Sequence, residues 1–565
     1  MKFLLVGINA KYIHSNPAVY SLRAYAKDRL NLVNDTIEIC EYTINQLIDE
    51  VLTDIYEKKA DVVAFSTYIW NVEMVMKIAR ELKQVAPKTH IWLGGPEVSF
   101  NYRERLENNT FLTGIIIGEG EETYKELVKN YIEDSGSLDK IKGLAYNGEG
   151  VVVTEDRECL DFSTIPFPYS NLTDFEDRIV YYETSRGCPF KCSYCLSSVE
   201  KSLRLRSMDL VKKELKFFID NKVAQVKFID RTFNCNRQRT IELLKFIKEN
   251  DNGITNFHFE IAGDILTDEE CEILNGLRTN LVQLEIGVQS TNPDTLEAIN
   301  RKTDMNKLAW NIEKLISKDN IHIHLDLIAG LPFEDYKSFI KSFNDVYSFH
   351  PHELQLGFLK MLSGAPIGQR IEEDDIKYRQ YPPYEVLATK YISFDEITEL
   401  KKVEEVLEIY YNSRQFKNTI KWLEGLEDNP FQMYRNIAEF YEKNGLFKFQ
   451  SARSKRYDNL LAYVKEKHPG MEGICKEYMT IDYYLREKAK SRPEFAGELA
   501  YDMAKNFYMN ESNIDRYLPD YKTMDSKTIQ RTTHYEKLQA IGKTIVFDYQ
   551  NKCGIDKEAR LITIE

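Results

Sequence analysis

Along the first 120 positions, short continuous apolar runs alternate with stretches whose apolar residues recur every three or four places. KFLLVGI (2–8), DVVAFST (61–67), HIWL (90–93) and GIII (114–117) have the length and continuity of buried strands. Between them, Pro17–Leu30 and Val72–Val85 carry the spacing of helices with one apolar face. Strands alternating with helices predict a parallel, doubly wound sheet. In such sheets ligands sit beyond the carboxyl ends of the strands. Those ends carry Asn9–Asn16, Ser66–Trp70, Gly94-Gly95-Pro96-Glu97 and Gly118-Glu119-Gly120-Glu121, so small and polar residues collect along one rim.

The pattern then changes three times. GLAYNGEGVVVTED has two alternating segments around Asn147-Gly148, a hairpin signal, and IPFPYSNL reads as an extended crossing. A second run of strands follows, at AQVKFID (224–230), FHFEIAG (257–263), LVQLEIGVQS (281–290), HIHLDLIAGLP (322–332) and ELQLGFL (353–359). Helical patterns such as Met208–Asn221 and Thr267–Leu277 separate them, which again gives a parallel α/β arrangement. From residue 372 onward the pattern is helical, with a strand signal only at TIVFDYQ (544–550). The expected division is 1–140, a hairpin and linker over 141–177, a second α/β unit over 178–371, and a mainly helical domain over 372–565.

Composition narrows the classes. A chain of 565 residues exceeds what one hydrophobic core supports, and 43% apolar with 29% charged residues is a globular balance. No run reaches the roughly 18 apolar residues of a membrane span, and the opening strand lacks the features of a secretory signal. A cytoplasmic protein is therefore expected. The formal charge of −14 argues against nucleic acid as a partner. Residues 401–565 hold 28 Lys plus Arg against 26 Asp plus Glu, so the acidic excess lies in the first 400. Of nine cysteines, six are scattered singly, which is not a disulfide framework.

The other three, Cys188, Cys192 and Cys195, lie in ETSRGCPFKCSYC with the spacing C-x3-C-x2-C. Zinc sites close with four ligands, and the next histidine after this loop is His258. Three thiolates on one tight loop suit a [4Fe-4S] cubane whose fourth iron has no protein ligand. The loop, with Tyr194 before its third cysteine, resembles the signature of the radical S-adenosylmethionine (SAM) enzymes. That resemblance implies a partial (β/α)6 barrel, SAM chelated at the open iron, and its reductive cleavage to methionine and an adenosyl radical. It also implies SAM contacts at Glu260, at Gln289 and Asp326 for the ribose hydroxyls, and at Arg301 for the carboxylate, to which a guanidinium fork is suited. The ordinary reading of each alone is a solvated residue at a strand end.

The STY, GGPE and GEGE corners, in this order ahead of such a loop, are similar to the cobalamin-binding domain that precedes many radical SAM domains. The resemblance implies corrin contacts from Asn9, Tyr12, His14, Ser66, Thr67, Tyr68, Gly94, Gly95, Pro96, Glu97, Gly118, Glu119 and Gly120. The GEGEE acids themselves read as helix-dipole partners. His14 lacks the flanking aspartate and glycine of the D-x-H-x-x-G cobalt loop, so it is expected as a loop residue and not an axial ligand. Together the resemblances imply a radical methyltransferase acting on an unactivated carbon of a small-molecule or carrier-bound substrate, with flavodoxin or ferredoxin as electron donor. The alternatives are a cobalamin-assisted rearrangement, cyclisation or oxidation, and a non-catalytic cobalamin-binding regulator. Cys235 reads as structural, His322 and His324 as polar lining of a barrel mouth, and the tyrosines after residue 372 as helix packing.

Overall fold

The computed structural model describes every residue except 33–35, 135, 200–201, 449–450 and 565. The first sheet contains β1 (Phe3–Asn9), β2 (Ile37–Thr43), β3 (Val62–Ser66), β4 (His90–Gly94), β5 (Gly114–Ile116), β6 (Leu144–Gly148) and β7 (Gly150–Val153), in the order β2-β1-β3-β4-β5-β6-β7. Strands β2 to β5 pair in parallel. The predicted hairpin is not a free linker: β6 and β7 add antiparallel to the end of this sheet. Edge strand β2 was not anticipated, although Ile37, Ile39 and Glu38, Glu41 around Cys40 carry a short alternation. Along β1, Phe3 and Leu5 enter one core and Leu4, Val6 and Ile8 the other, which is what a sheet covered on both faces requires.

The second sheet runs β8 (Val180–Tyr182), then β9 (Ser185–Arg186) and β10 (Arg204–Leu205) as a small antiparallel pair, then β11 (Gln225–Phe228), β12 (Asn256–Ile261), β13 (Val282–Gln289), β14 (His322–Ala329) and β15 (Glu353–Phe358). Its order, β15-β14-β13-β12-β11-β8, is an all-parallel six-stranded array in chain sequence, the curved sheet of a partial barrel. Outward residues such as Phe228, Phe259, Leu284 and Leu325 are buried beneath the connecting helices. The helix Asp268–Asn275 starts with a capping box between Thr267 and Glu270, which satisfies two otherwise unpaired backbone donors.

The chain continues through β16 (Lys377–Tyr378) and β17 (Val386–Ala388) into helices from Phe394 to Arg486, with buried Tyr410, Tyr434, Tyr441, Tyr457 and Tyr463 packed between them. The last segment departs from the helical expectation. β18 (Thr533–Leu538), β19 (Lys543–Cys553) and β20 (Glu558–Ile564) form an antiparallel sheet. Only the centre of β19 is continuously apolar; β18 and β20 alternate, a weaker signal in single sequence. One continuous core joins the inner face of the first sheet, the barrel and the tyrosine-rich helices, so the three units share buried packing.

Candidate active site

The cysteine loop begins where β8 ends. Pairing of β9 with β10 pinches its neck, and Gly187, at φ +86°, lies where a Cβ would collide with the Ser202 carbonyl. Asp230, buried at the end of β11, accepts from Thr184 N (2.8 Å), Thr184 Oγ1 (2.6 Å) and Ser185 Oγ (2.6 Å), fixing the backbone just ahead of the cysteines. Further along, Ser193 N donates to Ile299 O (2.9 Å) and Asn300 Nδ2 to Lys191 O (2.8 Å). All three cysteines are free thiols, Cys192 buried and Cys188 and Cys195 half-buried. Among the described residues no three His, Cys, Asp or Glu side chains are placed to hold a single metal ion. A cubane asks something different, one iron for each thiolate.

Arg301 connects this loop to the barrel. Its Nη1 is 3.7 Å from Cys192 Sγ and 3.4 Å from Tyr194 Oη, and its Nη2 donates to Gly287 O on β13. Burial works against its charge, but Tyr194 and Cys192 more than offset this and raise its pKa. The β13–β14 ladder slips between Gly287 and Gln289, and Gln289 takes φ +74°, a left-handed conformation uncommon outside glycine. Its amide folds back over Gly287, where any Cβ would collide with it. Asp326 stands across the ladder from Gly287. Glu260 faces the same interior from β12, its pKa raised by burial and by Glu285 against the pull of Arg231.

Four buried atoms here have no hydrogen-bond partner: Ser193 Oγ on the cysteine loop, Gln289 Oε1, Arg301 Nε and Asp326 Oδ1. His324 Nε2 forms an ion pair with Asp326 Oδ1 at 2.9 Å, off hydrogen-bond alignment. Burial opposes the charge of His324, while Asp326, Glu353 and Glu285 raise its pKa overall. His322, which alternates with it, is pushed down to about 3 by burial and by His352.

The rim of the first sheet is differently built. Asn9 Nδ2 donates to Glu41 Oε1 (2.8 Å) and His14 O (3.1 Å), and Glu41 also accepts from Tyr20 Oη (2.8 Å) and Arg178 Nη1 (2.7 Å). His14 Nδ1 is 2.7 Å from Tyr181 Oη on β8. Tyr12 is exposed beneath the Arg178 guanidinium. Ser66 Oγ donates to Asn16 Oδ1 (3.3 Å), Thr67 N to Gly94 O (2.7 Å), and Tyr68 stacks on Trp70 at 4.4 Å. Gly95, at φ +115°, admits no Cβ because the Thr67 carbonyl occupies its place. Pro96 and Gly118 are exposed, and Gly120 packs under Leu22.

Glu97 and Glu119 likewise meet protein instead of open rim. Glu97 accepts from Tyr384 Oη (2.5 Å) between β16 and β17. Glu119 pairs with Arg186 (3.4 Å) and Arg204. Glu121, expected only as a helix-dipole partner, is buried against Arg186 Nη2 (2.6 Å), whose Nε meets Glu183 at 3.0 Å. Sequence reasoning did not single out Arg186, Asp230, Glu41 or Tyr181. Arg186 alone had a signal, its place two residues before Cys188.

Comparison with known proteins matches residues 4–128 to the B12 binding domain, 182–346 to the radical SAM superfamily and 372–555 to a protein family of unknown function. The chain is 26% identical over 335 residues to the cobalamin-dependent radical SAM methyltransferase TokK of Streptomyces tokunonensis, covering 55% of this chain and 49% of that one. It is 27% identical over 341 residues to 2-(S-pantetheinyl)-carbapenam-3-carboxylate methyltransferase of Streptantibioticus cattleyicolor, covering 54% and 48%. The chain thus spans about half the length of these curated relatives. The cobalamin-dependent SAM radical enzyme OxsB, solved with aqua-cobalamin, shares the fold at TM-score 0.57 and 15% identity over 85% of this chain and 80% of that one. The chain carries a B12 binding domain over 4–128 followed by a radical SAM domain over 182–346. Its class of cofactors is a [4Fe-4S] cluster, SAM and cobalamin. Among the described residues no helix is long and apolar enough to cross a membrane.

Proposed function

We propose that this chain is a methyltransferase that adds a methyl group to an unactivated carbon of a small-molecule or carrier-bound substrate, drawing electrons from a flavodoxin or ferredoxin. When bound, the cluster and SAM supply radical chemistry and cobalamin supplies a methyl group on cobalt; the protein supplies binding, orientation and exclusion of water. Cys188, Cys192 and Cys195 would hold the cluster. The unpartnered atoms fit SAM in sign: Gln289 Oε1 and Asp326 Oδ1 are acceptors that suit ribose hydroxyl donors, and Arg301 Nε is a donor that suits the methionyl carboxylate. Tyr194 flanks Arg301, and Glu260 faces the same space. At the first rim the corners of Ser66–Tyr68, Gly94–Pro96 and Gly118–Gly120 would meet the corrin mainly through backbone, since Glu97 and Glu119 are engaged elsewhere.

The observation that carries the reading is the junction of the two rims. Arg186, immediately before the cysteine loop, is gripped by Glu119 and Glu121 of the cobalamin-domain corner, and His14 of that domain meets Tyr181 of the barrel. Chemistry at one rim is thereby kept beside chemistry at the other. The test is anaerobic turnover of reconstituted protein with candidate substrates. The expected product has one hydrogen replaced by methyl, a net gain of CH2, with 5'-deoxyadenosine and S-adenosylhomocysteine formed in equal amounts. Cys188→Ala, Cys192→Ala or Cys195→Ala each abolishes both. A product of unchanged mass despite SAM cleavage would refute methyl transfer.

A further inference from the structure

Gln289 and Arg301 are joined by a short segment of chain that is anchored at one buried carboxylate. Glu334, between β14 and the helix Tyr336–Tyr347, is 1% exposed and has no ion-pair partner among the described residues. Its Oε1 accepts from Ser290 Oγ and from Ser342 Oγ, both at 2.8 Å. Its Oε2 has no hydrogen-bond partner. Burial pushes the carboxyl up to about 7, with Asp335 adding to the rise and the Ser290, Ser342 and Ser338 hydroxyls opposing it. An ionisable group buried without a cation is costly to a fold, and the unpartnered oxygen adds to that cost. A group of this kind calls for an explanation.

The two serine hydroxyls pass the anchorage on to the backbone. Ser290 Oγ, while donating to Glu334, accepts from Asn292 N at 2.9 Å, and Ser342 Oγ accepts from Thr291 N at 3.0 Å. Ser290, Thr291 and Asn292 are thereby fixed one after another. On one side they adjoin Gln289, whose φ of +74° is a conformation that a residue other than glycine keeps only where its surroundings hold it there. On the other side Asn292 starts the helix Pro293–Ala298: its Oδ1 accepts from Asp294 N at 3.0 Å, and its Nδ2 donates to Phe333 O and Ser338 Oγ, both at 2.9 Å. Beyond that helix Arg301 N donates back to Leu296 O at 2.8 Å, and Ile299 and Asn300 make the bonds to the cysteine loop. Glu334 therefore stands at the root of both the Gln289 turn and the segment that ends in Arg301.

We propose that Glu334 is a positioning residue for SAM: acting through the Ser290 hydroxyl, it holds the Gln289 turn and the Arg301 segment in register, so that one buried carboxylate sets the ribose and carboxylate contacts together. Sealed from solvent, it acts only at second hand. The inference rests on the SAM contacts read above for Gln289 and Arg301, and the test separates its failure from theirs. The full chain, reconstituted anaerobically with its cluster, is titrated with SAM by calorimetry as wild type and as Glu334→Ala, Glu334→Gln, Ser290→Ala and the Glu334→Ala/Ser290→Ala double variant. Gln289→Ala and Arg301→Ala serve as references, and cobalamin affinity is measured on each protein as the control for general damage.

The expected result is a SAM affinity lowered about tenfold or more in Glu334→Ala and in Ser290→Ala, with cobalamin affinity unchanged. The double variant loses no more than either single one, because the two side chains act as one unit. Glu334→Gln, which keeps an oxygen to accept from both serines, stays within about threefold of wild type. Should Glu334→Ala fail to fold, Ser290→Ala cuts the same link and Glu334→Gln still reports the rescue. An unchanged SAM affinity in Ser290→Ala, additive losses in the double variant, or a cobalamin affinity that falls in step with that for SAM overturns the proposal. A loss in Gln289→Ala and Arg301→Ala with none in Ser290→Ala does so while leaving the SAM contacts standing; no loss in either reference variant overturns the contacts themselves, and this inference with them.

Discussion

The two carboxyl-edge rims meet one another but are finished differently. On the first sheet, the polar side chains singled out for cobalamin are already bonded within the protein: Asn9 to Glu41, His14 to Tyr181, Glu97 to Tyr384, Glu119 to Arg186 and Arg204. On the barrel, the side chains singled out for SAM include three buried atoms with no hydrogen-bond partner, of which Asp326 Oδ1 has an ion-pair contact with His324. A buried polar group left unpaired costs about 1–3 kcal/mol, and a bound ligand is one way such a group is satisfied. The first rim, Asn16 Nδ2 apart, is bonded within the protein, and on the reading proposed above it would meet a large, rigid partner through its glycine corners and backbone. On the same reading the second would be completed by a small partner's own donors and acceptors.

That contrast predicts opposite signs for mutations at the two rims, and the largest effect where they join. Arg186→Met leaves Glu119, Glu121 and Glu183 without their shared cation in a buried setting. A loss of about 3–5 kcal/mol is expected from breaking such a network, read by urea unfolding of the apo chain; an unchanged midpoint would dissolve the junction as an energetic link. Asn9→Ala strips Glu41 of one donor and the loop 10–16 of an anchor, and should cost about 1–2 kcal/mol with the barrel's SAM affinity unaffected in calorimetry. Gln289→Met removes an orphan instead. The apo chain should gain up to about 1 kcal/mol while SAM affinity falls about tenfold or more. A destabilised apo protein would show that the Gln289 amide is satisfied after all and that the contrast between rims is false.

How much of this was legible beforehand follows from the range over which each feature is encoded. Cys188, Cys192 and Cys195 are a local pattern, and alternation along the barrel strands sets Glu260 and Asp326 on the half-buried face of theirs, while Gln289 falls at the end of β13 where the ladder slips. Helices Pro17–Leu30 and Val72–Val85 end where their apolar spacing ends. Pairing partners are another matter. Nothing near Glu119 or Glu121 announces Arg186, 65 or more residues away, and the carboxylates were read by the one rule local sequence offers, the helix dipole. β2 was missed because an edge strand alternates with polar residues and mimics a loop, and β18 and β20 for the same reason. The hairpin Leu144–Val153 was recognised as a hairpin, but which sheet it joins depends on the Ile115–Ala145 pairing across the chain.

His14 gives the finest test of the difference between the rims, because a histidine on a cobalamin-domain loop can serve either as ligand or as brace. Its Nδ1 meets Tyr181 Oη at 2.7 Å, and Ser15 Oγ beside it donates to Ile179 O at 2.9 Å, so the loop is pinned to the barrel on both sides of the ring. Burial lowers the pKa of His14, with Lys11 and Lys227 adding to the effect, which keeps the imidazole neutral and its tautomer under the control of Tyr181. A metal-bound histidine also commonly shares its other nitrogen with a partner, so geometry at Nδ1 alone does not separate the roles. The cobalt does. With the protein loaded with cob(II)alamin, a brace predicts an electron paramagnetic resonance spectrum without nitrogen superhyperfine splitting and unaltered by His14→Phe, together with a stability loss of no more than about 1 kcal/mol for one hydrogen bond. Nitrogen splitting that vanishes in the variant would make His14 an axial ligand, and the first rim would then share with the second the habit of reaching for its cofactor through a side chain.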